Sequence, residues 1–242
     1  MKNIFLSIIF LFLLTTPAFC ANKIVDSATN TPIGNAKITI PKYNYSTYTD
    51  SEGNFNLGNI NSPTILSVQK EGYRPFSLTV SSNSTASKPL VMGIEKSDVS
   101  DIIIESGMVH IGDDNYSVSS ANAGNFRLKS SGPSFSKEFI LDSGNSYLVI
   151  GSILGIDTLM AKTMGQNRIL NAYASPPEVY FNGAKIAEIQ LNGDNQKIKL
   201  PSNLIRPKQK NQITIKAGRN LMQTAYIDYD DIEIANLTVL SD

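Results

Sequence analysis

From Ile24 onward, apolar residues recur at every second position in short runs: Ile38 and Ile40, Phe55 and Leu57, Leu66 and Val68, Leu78 and Val80. Side chains alternate across a strand, so each pair marks one face of a half-buried β-strand. Clusters of Gly, Pro, Asn, Asp and Ser separate the runs, and no stretch sustains the 3.6-residue period of an amphipathic helix. The pattern predicts an all-β fold of the sandwich type. In the second half the strands lengthen, over 101–111, 135–141, 147–153, 178–181, 197–200, 212–216 and 232–239. Asn182-Gly183 and Asn192-Gly193 read as hairpin turns bracketing a strand over 185–191, because a type I′ turn needs positive φ at both central residues. A short helix competes with strand only over 159–170.

The uncharged tract SSNSTAS at 81–87 and the charged EKSD at 95–98 bracket a further strand, 89–94. A boundary near 96–100 divides the chain into two β-sandwich domains, 21–96 and 97–242, with few contacts expected to cross it. Ahead of them, Lys2 precedes about eleven mostly apolar residues and a small-residue exit around Ala18 to Ala21. That run is too short for the roughly 20 residues a membrane span requires, so 1–20 reads as a cleaved signal peptide and the product as secreted or periplasmic. Bulky Phe19 before Cys20 argues against lipidation, and cleavage after Cys20 leaves a chain without cysteine, stabilised by packing alone. No second apolar stretch is long enough for a transmembrane segment in the mature chain.

The 242 residues carry 21 basic and 21 acidic side chains, one His and no Trp. Zero net charge supplies no global field to recruit nucleic acid.

Three segments carry a resemblance: Thr31-Pro32-Ile33-Gly34-Asn35-Ala36-Lys37-Ile38, then Thr49-Asp50-Ser51-Glu52-Gly53-Asn54-Phe55, then Leu66-Ser67-Val68 with Gly72-Tyr73. Over 23–94 the chain resembles the carboxypeptidase regulatory-like family, a transthyretin-like β-sandwich. Lys23 and Asn30 stand where that family usually has Gly. The resemblance implies a non-catalytic, accessory or binding role. Over 98–242, Val179-Tyr180-Phe181-Asn182-Gly183, Asn211-Gln212-Ile213-Thr214-Ile215 and the closing 228–237 are similar to jelly-roll carbohydrate-binding and galactose-binding-like modules. The expected architecture is a transthyretin-like sandwich followed by a jelly-roll-like one.

Zinc carboxypeptidase chemistry needs three protein ligands and a general base, which a chain with His110 as its one histidine does not supply. A serine hydrolase would also have to use His110, and no Gly-x-Ser-x-Gly elbow is present. His110 therefore reads as a strand residue. Paired carboxylates could hydrolyse a glycoside, but two small sandwiches offer little deep cleft. The acidic run Asp228, Asp230, Asp231 and Glu233 is the candidate cation site. By parity Asp228 and Asp230 share a face with Ile232 and Ile234, and a carboxylate there needs a partner such as calcium. Glu105, Asp113 or Asp114 could complete the shell. The alternative is a strand that begins at Asp231 with the earlier acids in a solvated loop. Leu237 and Val239 lie on the opposite parity, so a bulge near Ala235 or Asn236 must switch the phase.

Asp50-Ser51-Glu52-Gly53 resembles half a calcium loop but lacks the distal Glu, and a hairpin turn explains it. Lys197, Lys199, Arg206, Lys208, Lys210, Lys216 and Arg219 fall in a stretch without acids, a patch for an anionic polymer or else ordinary solvated strand faces. Tyr43, Tyr45 and Tyr48 cluster near a hairpin, where their rings either stack on sugars or half-bury in strands. The reading that follows is a non-enzymatic, secreted or cell-envelope protein that binds carbohydrate or an envelope polymer. A structural or adhesive scaffold without glycan binding and a glycoside-active enzyme are the alternatives.

Overall fold

The computed structural model describes residues 22–81, 89–112, 119–120, 124–125, 128–142, 144–166, 172–222 and 229–241; the expected signal peptide, 1–20, lies outside them. The first half contains β1 (Asn22–Asp26), β2 (Lys37–Ile40), β3 (Tyr45–Tyr48), β4 (Asn54–Phe55), β5 (Thr64–Gln69), β6 (Phe76–Val80) and β7 (Val91–Ile94). They form two sheets, ordered β4-β1-β7 and β3-β2-β5-β6. Between them lies a core built on Ile24, Ile38, Ile40, Leu66, Val68, Met92 and Ile94, and of these Ile38, Ile40, Leu66 and Val68 are residues the alternation marks as inward.

Local chemistry fixes the turns. Asp50 Oδ1 accepts hydrogen bonds from the backbone N–H groups of Glu52 at 2.9 Å and Asn54 at 2.8 Å. Gly53 takes φ +75°, and a Cβ there would fall 2.5 Å from the Ile24 carbonyl, so only glycine fits. The chain then returns Phe55 to the core. Asn30 stands where the related family usually has Gly, and it takes φ 59°, a conformation Asn tolerates better than most residues.

The second half contains β8 (Ile102–Ile111), β9 (Ser119–Ser120), β10 (Gly124–Asn125), β11 (Ser134–Leu141), β12 (Ser146–Leu154) and a short helix α1 (Leu159–Thr163), capped by the Thr158 side chain. It continues through β13 (Tyr173–Ala174), β14 (Glu178–Phe181), β15 (Ala184–Glu188), β16 (Gly193–Leu200), β17 (Gln209–Lys216), β18 (Asn220–Met222) and β19 (Ile232–Ser241). Eight of these strands make two four-stranded sheets, β16-β12-β19-β8 and β11-β17-β14-β15, and β9-β10 and β13-β18 are two-stranded ribbons. Numbered along the chain, the eight run 6-3-8-1 in one sheet and 2-7-4-5 in the other, so first pairs with last and the two sheets exchange strands as in a jelly roll. Their core includes Leu148, Ile150, Val179, Phe181, Ile213, Ile234 and Leu237.

Asn182-Gly183 makes the expected tight turn, with φ 50° and 87°, between β14 and β15. Asn192-Gly193 does not. Glu188 and Gly193 belong to strands of different sheets, and Asn192 spends its side chain on the Ile156 backbone, accepting from its N–H at 2.7 Å and donating to its carbonyl at 3.0 Å. The predicted strand 185–191 is accordingly the shorter β15.

The expected phase change lies at Asn236, which takes φ 56° beside a register shift against β8. Ile232 and Ile234 face the core before it, Leu237 and Val239 after it. β12 changes phase at the facing residue: Leu148 and Ile150 are inward on one side of Gly151, Ile153 on the other.

The boundary carries more contact than its composition predicts. β5 is buried along both faces: Leu66 and Val68 fill the first core, whereas Ile65 packs with Leu154, Ala235 and Met108 of the second half. Ser67 Oγ donates to Asn236 Oδ1 at 3.3 Å, and Asp194 Oδ1 accepts from Thr79 N at 3.0 Å and Thr79 Oγ1 at 2.9 Å. The charged segment 95–101 is a structured turn: Arg74 reaches Asp101 through Nε at 2.7 Å and Nη2 at 2.9 Å, and Glu95 through Nη1 at 2.6 Å. Polar composition there reflects this ion-pair network, which a free linker would not need. The β3-β2-β5-β6 sheet thus lies against the β16-β12-β19-β8 sheet, and the two sandwiches meet along a seam.

Candidate functional site

The three tyrosines do not form one platform. Tyr43 is half-buried against the first core, and its hydroxyl accepts from Asn61 N at 2.9 Å and Ser62 N at 3.0 Å, fastening the loop before β5. Tyr45 also packs on that core and donates its hydroxyl to the Asn56 carbonyl. Tyr48 is three residues further along β3, on the opposite face, and 57% exposed. It lines a hollow of about 390 Å³ with Asn35, Lys37, Gln69, Lys70 and Glu71 of the first half and Ile103 and Ser106 of the second. Gln69 Nε2 donates to the Ser106 carbonyl, and Lys70 Nζ donates to the Gly34 carbonyl at 3.0 Å. The first of these bonds ties the floor across the seam and the second braces it within the first half, while among the described residues Lys37 makes no ion pair.

Of the acidic run, Asp228 lies outside the described residues, as do Asp113 and Asp114. β19 begins at Ile232, so Asp230 and Asp231 precede the strand; yet both are buried and neither is in a solvated loop. Asp230 Oδ1 accepts from Asn220 Nδ2 at 2.8 Å. Asp231 Oδ1 lies 3.4 Å from His110 Nε2. The two carboxylates are drawn to different partners, and among the described residues no three His, Cys, Asp or Glu side chains converge as a metal site. Glu105 pairs instead with Lys137 at 3.3 Å.

His110 is a buried strand residue on β8. Its Nδ1 lies 2.6 Å from the Leu128 carbonyl, which only accepts, so Nδ1 carries the proton. Burial opposes a charged ring most strongly, but Asp231, the Leu128 carbonyl and Glu233 together outweigh it and raise the His110 pKa above 6.5. Glu233 is paired directly across the sheet from His110 and is fully buried on the seam-facing side of β19. Burial pushes its carboxyl up to about 7, with His110 and Lys42 of the first half pulling it back. Neither Glu233 oxygen has a hydrogen-bond partner among the described residues.

The seven bases of 197–219 are dispersed over different sheets and loops. Lys210 pairs with Glu138 at 2.8 Å, and Lys216 lies 4.3 Å above the Tyr180 ring. Lys216 and Arg219 share a hollow of about 430 Å³ with Glu178 and Glu188, so acids distant in sequence stand beside these two bases.

Beyond Pro75, which borders both spaces, the seam opens into a cleft of about 240 Å³. Its charges balance, Arg74 and Lys197 against Glu95 and Asp194, and its walls include Leu78, Val149 and Leu240. Reasoning from sequence missed this cleft and the Tyr48 hollow alike, since each draws residues from both halves.

Two sandwiches docked face to face, with open polar hollows along the seam, define an all-β protein of modular build. Residues 23–104 match the family model described as CarboxypepD_reg-like domain, so the first sandwich is such a domain, and the match runs past 96 into β8. It covers about a third of the chain. No curated protein matches the sequence.

Proposed function

We propose that the protein is an exported, non-enzymatic binding protein that takes a polysaccharide or another polymer of the cell envelope along the Tyr48 hollow. The observation that carries this reading is the exposed Tyr48 ring set among Asn35, Lys37, Gln69 and Glu71 on a floor spanning both halves. An aromatic face offers an apolar surface to the C–H groups of a sugar, and neighbouring amide, ammonium and carboxylate groups hydrogen-bond its hydroxyls. A non-catalytic role is supported by His110, the chain's one histidine, which is buried, engaged with Leu128 and Asp231, and does not line any of the three hollows described. No helix among the described residues is long and apolar enough to cross a membrane. Retention on insoluble polysaccharides, run beside sedimentation velocity on the mature chain, tests the proposal. Saturable retention that Tyr48→Ala abolishes is expected. Self-association without retention would overturn it in favour of a scaffold.

A further inference from the structure

The Tyr48 hollow differs from the other two in its charge. Lys216 and Arg219 are matched by Glu178 and Glu188 in one of them, and Arg74 and Lys197 by Glu95 and Asp194 in the other. The Tyr48 hollow sets Lys37 and Lys70 against Glu71 alone. Strand register puts Lys37 at the centre of its floor. On β2 it stands opposite Tyr48 of β3 on one side and opposite Gln69 of β5 on the other, so the three side chains share one face in a single cross-strand row. That row holds no acid beside the ammonium group.

The acids nearby in sequence are committed elsewhere. Asp50, two residues beyond Tyr48, spends Oδ1 on the N–H groups of Glu52 and Asn54 and Oδ2 on Asn54 Nδ2 at 3.3 Å. Glu105, next to Ser106, accepts from Gly107 N at 3.1 Å and pairs with Lys137 at 3.3 Å. Glu71, the one carboxylate in the lining, makes no ion pair among the described residues. Lys70 Nζ is held by the Gly34 carbonyl, which fixes the ammonium without cancelling its charge. Two ammonium groups against one carboxylate, with Tyr48 and Ile103 as exposed apolar surface, are complementary to a ring that carries a negative charge.

We infer that the Tyr48 hollow takes a sugar unit bearing an anionic group, a carboxylate or a sulfate, which pairs with Lys37 while the C–H face of the ring lies on Tyr48. The inference rests on the polysaccharide reading above and narrows that polymer to the acidic ones. A lysine ammonium acts as a point charge without the planar fork of a guanidinium, so either anion satisfies it.

Biolayer interferometry of the full mature chain on immobilised polygalacturonate, carrageenan, dextran and glucomannan tests the inference. At least one of the two acidic polymers is expected to bind about tenfold more tightly than either neutral one, the effect of one charge-assisted contact. Preference for polygalacturonate identifies the anion as a carboxylate, and preference for carrageenan as a sulfate. Raising the salt from about 0.1 M to about 1 M, which shortens the screening length from about 10 Å to about 3 Å, should shrink the preference. Lys37→Met, with its fold checked by circular dichroism, should lose it and leave binding to the neutral polymers unchanged, while Lys37→Arg keeps it. Tyr48→Ala should weaken binding to every polymer. Neutral polymers bound as tightly as acidic ones, or a preference for acid that Lys37→Met leaves intact, would overturn the anionic unit and leave the hollow standing provided Tyr48→Ala still abolishes binding. No binding to any of the polymers would overturn both.

Discussion

Replacing Glu233 with Gln removes an ionisable group from the seam while keeping its shape. The wild-type carboxyl is fully buried, and its pKa rises from an ordinary 4.5 to about 7, burial being the largest cause. The native state therefore binds a proton that the unfolded chain releases between those two values. Stability falls wherever the native state holds more protons than the unfolded one and pH rises, so the wild-type protein loses stability from pH 4.5 to about 7. At about 1.4 kcal/mol per decade of proton concentration, the displacement corresponds to about 3 kcal/mol. Glu233→Gln has no such loss. Urea unfolding of both proteins at about pH 4 and about pH 8 separates this term from any cost of packing the new amide, which is common to both conditions. The expected result is a variant that gains about 3 kcal/mol relative to wild type on going from the acid to the alkaline condition. Stability profiles that stay parallel across the range, within about 0.5 kcal/mol, would refute the assignment of a buried acid at this position.

His110 should titrate above 6.5 in an NMR pH series, and its contribution to stability is full below that value and lost as pH rises through the native midpoint; a midpoint below 6.5 would contradict the pairing with Asp231. Gly151→Ala forces a methyl group into Ser77 and Asn236 and is expected to cost about 1–3 kcal/mol, read as a lower urea midpoint; an unchanged midpoint would mean the seam is loose. Tyr43→Phe removes the acceptor for two backbone N–H groups and should cost about 1–2 kcal/mol in the same assay while leaving polysaccharide retention intact; loss of retention would move the binding surface to that ring. Arg74→Met leaves the Asp101 carboxylate, only 2% exposed, without its guanidinium, and about 2 kcal/mol of destabilisation is expected.

Alternation and turn chemistry made most of the strands legible. Ile38 and Ile40, Leu66 and Val68, the Asp50 turn and the Asn182-Gly183 hairpin all follow from rules that act over a few residues. The phase change at Asn236 was legible because two parities in one strand demand it. The seam was not. Its signal was weak but present: Thr64 to Val68 and Ile232 to Val239 are buried on both faces, where a strand covered on one side would alternate with exposed residues. A polar Glu233 within such a strand belongs to a second buried face, and its cross-strand partner His110 comes from a β8 more than 100 residues away in sequence. Local pattern carries no record of that pairing. The acidic run was legible only in part. The strand begins after Asp231, so parity does not extend back to Asp230, whose carboxylate accepts from Asn220, while Asp231 lies beside His110. Asn192-Gly193 misled because a side chain can serve a distant backbone instead of its own turn.

The seam as a binding surface is the central claim, and backbone chemical-shift mapping with an oligosaccharide released from a retained polymer tests it most directly. Perturbed amides are predicted in one band across the seam, at Lys37, Tyr48 and Gln69 of the first half and at Ile103 and Ser106 of the second. Perturbations gathered instead around Lys216 and Arg219, or none at saturating oligosaccharide, would contradict the account.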